Sequence, residues 1–556
     1  MLLNHIFLAG APYAGPGKKI SFFRSQHANV AYLVHDGGLV LDDVRQAPGN
    51  VDVIEAKGLP CGDSAVLLHF LNIPVDFGRG EANAFYDGAV VHKQTGTSDA
   101  VDPSTIFHIG SMSKAFTAAV IASIVDQGLL SWDDKVKDIL PDFSWYCDSV
   151  EQNLKVKELL THGTGLVAQV GTYLPNLGYT RDDIYRLIRY FEPYYQPGEK
   201  FAYNNVTFII AAKVIEKVTG ISWEENVKNR IFSPLQMENS TPDATGYINS
   251  VNRATAHYFG YRKGKKSARE SIVISPLKGE ERALYWVSTI GPAGGICSNA
   301  EDMAKWVRFH LNNGVVNLHG EFNEISYDYP ARIISPKEMK FMHTGAMHVR
   351  SDSTFSRDYG YCWYIEQNPS YRIIYHTGTT WGFTGVCGFV PELDLGVVLL
   401  CNSEVSEYAR MGILRYIADI FKAYSSGLQC EPEDYSAKGL EKWLEAKKRG
   451  AQRAVPCKIK RLSEVPEIHK LTGTYHKESP LGDATIFLKN GNLYMKIGTM
   501  GWEHHLVHVK GNEFHLRSQG HTFPIFFHNY RNGDSGNVDF EIDFNYNENF
   551  GPWIRN

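Results

Sequence analysis

The sequence is short of the features that announce a membrane, a metal or a nucleic acid. None of its 556 residues falls in an apolar run long enough to cross a bilayer, which takes about 20. Lys and Arg total 56 against 61 Asp and Glu, so the net charge of −5 leaves no basic excess for a phosphate backbone, and nucleic acid is a poor partner. Eight cysteines lie scattered from Cys61 to Cys457 without a C-x-x-C pair, which fits neither a zinc pattern nor a dense disulfide framework. The opening MLLNHIFLAG has no basic n-region and carries Asn4 and His5 inside its apolar stretch, so it makes a poor signal peptide. These absences together favour a reduced, cytoplasmic protein. There is no internal repeat and no long low-complexity segment. An apolar content of 43% and a charged content of 21% are those of a globular protein, and the length asks for more than one core.

What is there is a mixture of helices and antiparallel strands. VAYLVHDGGLVL (Val30 to Leu41) predicts a hairpin at Asp36-Gly37, and NAFYDGAVVHKQTG (Asn83 to Gly96) a second at Asp87-Gly88. The first ~75 residues carry no readable chemistry. LSWDDKVKDILPDF predicts a loop and a short helix. VTFIIAAKVIEKVTG predicts an apolar helix stopped by Gly220, and NAEDMAKWVRFHL an amphipathic helix with an acidic first turn. YRIIYHTGTTWGFTGVCGFVPELDLGVVLLCNS predicts three strands joined by glycine- and proline-rich turns. Residues 425–467 are charged and poorly periodic, as a linker with one surface helix would be. From 468 to 556 the pattern is strand-like, with hairpins at Asn490-Gly491 and Gly511-Asn512, and predicts a small β-barrel. The fold class that follows is an α/β (α+β) sandwich with an appended barrel.

Three short motifs carry chemistry. The first is Ser111-x-x-Lys114, at the head of the buried helix pattern FHIGSMSKAFTAAVIASIVDQG. Residues three apart share a helix face, so an amine beside a hydroxyl is placed to take its proton. S-x-x-K alone is weak, since about two matches arise by chance in a chain this long. The other copy, Ser275 to Lys278, opens no apolar helix. The second motif is Tyr203-Asn204-Asn205 at the mouth of the next apolar helix. Read alone, a tyrosine here is more often a packed aromatic than a base, but beside a lysine ammonium Tyr203 becomes a phenol able to shuttle the serine proton, while the Asn205 amide suits a substrate carbonyl or the lysine. The third is His376-Thr377-Gly378, ending a strand. Glycine there admits a close approach, and the N–H groups of Ser111 and Thr379 form a candidate oxyanion hole.

In this order the three motifs resemble the serine β-lactamase and penicillin-binding-protein superfamily, in its class C β-lactamase-like branch. The resemblance covers roughly residues 83 to 424 and extends to KELLTHGTGL, GPAGGICSNAEDMAKW and ISWEENVKNRIFSPLQMENST. The wording is similar to stand-alone fungal members, and the tail resembles the lipocalin-like β domain often appended to them. The resemblance implies a β-lactamase/transpeptidase-like domain over 76–424, an extension before it and a barrel after it. It implies Ser111 as the nucleophile of an acyl-enzyme, Lys114 and Tyr203 as the proton-handling pair with the base role not apportioned, and Asn205, His376, Thr377 and Gly378 as substrate-binding residues. It implies no metal or organic cofactor, and a small-molecule acyl substrate as the partner. The antibiotic-degrading branch commonly has lysine where this chain has His376, which argues against β-lactams and cell-wall peptides and for esters, lactones, small amides or acyl transfer.

Other patterns read as decoys. GAPYAGPGKK has Pro12 five residues before Gly17-Lys18 and no Ser or Thr after the lysine, so it fails as a phosphate loop. Of His504, His505 and His508 only the first and last share a strand face, and barrel-lining histidines are the simpler reading. Three functions stay open on sequence: a serine hydrolase, an acyltransferase using the same acyl-enzyme, and a non-catalytic scaffold. The oligomeric state is open as well.

Overall fold

The computed structural model describes residues 93–94, 97–262, 271–277, 280–316, 331–403, 407, 410–425, 468–477, 481–518, 521–528, 538–542 and 553–555. It also describes five short strand segments between residues 7 and 85. The turns expected at Asp36-Gly37 and Asp87-Gly88, and the charged linker 425–467, lie outside the described residues apart from Ser425. The chain divides into two compact units, each assembled from three segments. One comprises 1–130, 221–278 and 294–448; the other comprises 131–220, 279–293 and 449–556.

The first unit is built on a nine-stranded sheet whose central members are the three strands expected from sequence, Arg372–Thr380, Phe383–Val390 and Leu395–Cys401. They pair antiparallel, with Gly378 opposite Gly385 and Val386 opposite Leu399. LGVVLLC is apolar throughout because that strand is covered on both faces. Ile373, Tyr375, Val397 and Leu399 pack with Ile413, Leu414, Ile417 and Phe421 of the helix Arg410–Ser425. Strand segments Phe7–Ala9, Val66–Asn72 and Asn83–Phe85 extend the sheet beyond Leu395–Cys401, which gives part of the unread N-terminal region a backbone role.

The helix Ser113–Asp126 is buried on every side from Ser113 to Ile124, which accounts for its weak amphipathic pattern. Phe116 stacks on Trp306 with ring centroids 3.9 Å apart, and the Trp223 indole N–H donates to Thr117 Oγ1 at 3.0 Å. Trp306 belongs to the expected amphipathic helix, Ala300–Leu311, capped by Asn299 through the Asp302 N–H.

The second unit contains the helix Thr207–Thr219, stopped by Gly220 at φ 75°, and a closed eight-stranded barrel running from Gly473–His476 to Trp553–Arg555. Asn490 and Gly491 both have positive φ, as a two-residue hairpin turn requires. Tyr475, Phe514, Phe527, Phe540 and Trp553 fill the barrel. His504 is among its buried residues, and burial holds its pKa at about 4. The barrel rests on the segment after residue 172. Tyr179 Oη donates to the Leu481 carbonyl at 2.7 Å, and the Met500 N–H to that of Gly178 at 3.0 Å. A Cβ on Gly498 would lie 2.3 Å from the Leu177 carbonyl oxygen, so the two backbones touch.

Candidate active site

Ser111 lies in a single 3₁₀ turn, Gly110–Met112, and Lys114 in the first turn of the α-helix that follows. The sequence pattern anticipates one continuous helix. The tighter turn arises because Gly110 takes the left-handed φ of 56°, bending the chain from the strand Phe107–His108 into the helix. Ser113 locks the bend: its Oγ donates to the Gly110 carbonyl at 2.7 Å and accepts the Ile296 N–H at 3.0 Å. Lys114 Nζ donates to Ser111 Oγ at 3.1 Å. Ser111 is partly exposed, whereas Lys114 is fully buried. Burial pushes the lysine pKa down to about 7, opposed in part by the neighbouring Cys362 thiol. Cys362 holds an uncommon φ of 70°, and its own thiol is pushed well above its usual pKa by burial.

The strand carrying the third motif runs against this turn. A Cβ on Gly378 would fall 1.9 Å from the Ile109 carbonyl oxygen, and one on Gly110 would fall 2.8 Å from the Thr379 nitrogen. The two glycines therefore let strand and turn meet backbone to backbone, which sets Ser111 beside Thr379. At Gly378 it is the protein's own chain that makes the close approach.

His376 is 1% exposed. Its Nδ1–H donates to the Thr377 carbonyl at 2.7 Å, so Nε2 of the neutral ring accepts from Tyr359 Oη at 3.0 Å. Burial, the Lys114 charge and the Arg410 charge hold its pKa at about 3, against the favourable bond to Thr377. The ring is therefore neutral at working pH. The fixed positive charge at this motif comes from Arg410, which donates to the Gly378 carbonyl at 2.7 Å and to Thr379 Oγ1 at 2.8 Å. Glu407 lies 3.4 Å from the same guanidinium.

Tyr203 and Asn205 belong to the second unit. Residues 162–172 hold them. The Gln169 N–H donates to the Tyr203 carbonyl at 2.8 Å, and the Asn205 amide donates to Gln169 Oε1 at 3.1 Å and Thr172 Oγ1 at 3.2 Å. Asn204 turns inward: its Oδ1 accepts the Val206 N–H at 2.9 Å, and its Nδ2 donates to the Val167 carbonyl at 3.1 Å. Trp286 Nε1 donates to the Thr172 carbonyl at 2.8 Å. Sequence reading passed over Gln169, Thr172 and Arg410, because nothing in their local pattern distinguishes them from ordinary polar residues. Among the described residues no group of three or more His, Cys, Asp or Glu is placed to hold a metal, and no helix is long and apolar enough to cross a membrane.

The family described as Beta-lactamase matches residues 80–420. The match spans more than half of the 556 residues, and the chain belongs to that family. The chain is 28% identical over 333 residues to the "Unguisins hydrolase ungD'" of Aspergillus campestris, covering 57% of each sequence. It is 24% identical over 345 residues to "Penicillin-binding protein 4*" of Bacillus subtilis, covering 61% of this chain and 70% of that protein. The chain thus spans only about half the length of the fungal relative. Among solved structures, the octameric penicillin-binding protein homologue from Pyrococcus abyssi aligns with a TM-score of 0.49 at 22% identity, covering 85% of this chain and 93% of that one.

Proposed function

We propose that this chain is a serine hydrolase acting through a Ser111 acyl-enzyme on an ester, lactone or small amide. The observation that carries the reading is the Lys114 amine, 3.1 Å from Ser111 Oγ and buried so that it gives up its proton near pH 7. Ser111 Oγ attacks the carbonyl carbon, and its proton passes to the Lys114 and Tyr203 pair. The same pair returns a proton to the leaving group, and water then releases the acid and frees the serine. The N–H groups of Ser111 and Thr379 stabilise the developing oxyanion. Asn205 orients the acyl group, and Thr377 and Gly378 line its path. His376, neutral and turned to Tyr359, shapes this wall without anchoring an anion. The relation to a fungal protein named as a hydrolase supports hydrolysis over a scaffold role.

The test is p-nitrophenyl ester hydrolysis by the wild type and by Ser111→Ala. Turnover is expected to fall at least about a thousandfold in the variant. Equal rates in the two proteins would sink the assignment. A small alcohol added as acceptor then separates hydrolysis from acyl transfer, because transfer diverts product from acid to ester.

A further inference from the structure

His162 lies outside the three motifs, yet it is built around Tyr203. It is 1% exposed and holds the left-handed φ of 59°, a conformation that a non-glycine residue adopts only when its surroundings fix it. Its carbonyl accepts the Ala202 N–H at 2.9 Å. Its Nδ1 accepts the Asn204 N–H at 3.1 Å. One residue therefore grips the backbone on both sides of Tyr203. A backbone N–H is always the donor, so Nδ1 carries no proton and the neutral imidazole is the Nε2–H tautomer. The ring plane is fixed as well. It lies 4.2 Å from the Tyr203 ring at a tilt of 37°, 5.5 Å edge-on from Phe201, and 5.7 Å from Phe208.

A phenol that relays a proton must hold its oxygen to within a few tenths of an ångström, and a 1 Å error costs on the order of a hundredfold in rate. Tyr203 is only half buried, so its own exposure does not fix it. The backbone grip sets its Cα, and the imidazole face limits how its ring turns. We infer that His162 is a positioning residue for the Tyr203 phenol: it acts through Tyr203 and does not itself exchange a proton with substrate. This inference rests on the role proposed above for Tyr203.

His162→Asn is the informative substitution. Asparagine tolerates left-handed φ, and its Oδ1 reproduces the Nδ1 acceptor, so the fold is kept while the aromatic wall is lost. The experiment is a double-substitution cycle of His162→Asn and Tyr203→Phe, reading kcat and KM for p-nitrophenyl acetate, with thermal melting of each variant. His162→Asn is expected to lower kcat about tenfold with KM within twofold, and to lower it less than twofold once Tyr203 is already phenylalanine. A tenfold loss in both backgrounds would make His162 merely structural and overturn the inference, as would a full rate in His162→Asn alone. If Tyr203→Phe by itself keeps the wild-type rate, the reading of Tyr203 fails first, and the positioning role falls with it. Should the Asn variant melt more than about 10 °C below the wild type, His162→Gln, whose longer arm keeps a polar acceptor, supplies the same cycle and is read by the same criteria.

Discussion

Around Ser111 two backbones meet with no room for a Cβ between them, whereas around Tyr203 backbone bonds are supplemented by a set of polar side chains. In the first unit, glycines at 110 and 378 bring a 3₁₀ turn and a strand into contact at distances no Cβ would survive. In the second, the side chains of His162, Gln169 and Thr172 hold Asn204 and Asn205, while the backbones of His162 and Gln169 bond those of Ala202 and Tyr203. The two constructions fail in different ways. A backbone contact has no partial form: a single methyl group separates the elements. A side-chain bracket is graded, because each bond is worth about 1 kcal/mol and its neighbours remain when it goes. The turn that carries Ser111 is thereby held by its backbone, and Asn204 and Asn205 are held by side chains that substitution can retune.

After Ser111 itself, the largest effect expected is at Lys114. Lys114→Met should lower kcat about a thousandfold, within the range of a lost general base. Wild-type kcat/KM should rise with pH through about 7, as the lysine loses its proton, and level off above it. Stability moves in a linked way. The lysine's folded pKa of about 7 lies below its ordinary 10.5, so between those values the unfolded chain binds more protons and stability rises with pH. Below pH 7 the full cost of burying the ammonium is felt, on the order of 5 kcal/mol. Lys114→Met should therefore raise the melting temperature most below pH 7, in the same protein that has lost its activity. A variant that is both inactive and less stable throughout that range would contradict the buried-base account.

Next in size is Gly378→Ala, which tests the backbone construction. Its Cβ would meet the Ile109 carbonyl oxygen at 1.9 Å, which forces strand and turn apart. Overpacking of this kind costs about 1–3 kcal/mol, and displacing Thr379 from Ser111 should reduce kcat about a hundredfold. The measurement is kcat alongside thermal melting. Activity within threefold of wild type would show that the contact has slack and would erase the contrast with the second unit.

Much of this was legible beforehand because it depends on local rules. Ser111 and Lys114 are three residues apart, so their meeting follows from helical geometry alone. Leu395–Cys401 reads as a central strand because it is apolar without alternation. Gly220 ends its helix by the φ it must adopt. What escaped depends on long-range placement. Arg410 lies 32 residues beyond Gly378 in sequence and meets it only because its helix packs on the same sheet. His376 is a strand-end residue in sequence; its neutral state follows from burial and from the charges of Lys114 and Arg410, which are properties of the assembled core. The segments 131–220 and 449–556 join in one unit through contacts such as Tyr179 with Leu481, for which neither stretch carries a local signal.

The smallest effect expected is at Gln169, where the side-chain bracket is tested by itself. Gln169 combines two roles: its amide accepts from Asn205, and its backbone, at φ 66°, donates to the Tyr203 carbonyl. Gln169→Gly removes the first and keeps the second, because glycine takes positive φ freely. Gln169→Ala also removes the first and keeps the Cβ that Gln169 already carries at this φ, so it adds no backbone strain. If the bracket is graded as argued, Gln169→Gly should raise KM about fivefold, the loss of roughly one hydrogen bond's worth of positioning at Asn205, with kcat nearly unchanged. Gln169→Ala should behave in the same way, because neither substitution removes the N–H that holds the Tyr203 carbonyl. Steady-state kinetics on one ester measures both. A KM within twofold of wild type in both variants would mean that the Gln169 amide contributes nothing to holding Asn205, and a kcat loss of about tenfold or more in both would mean that the bracket is not graded.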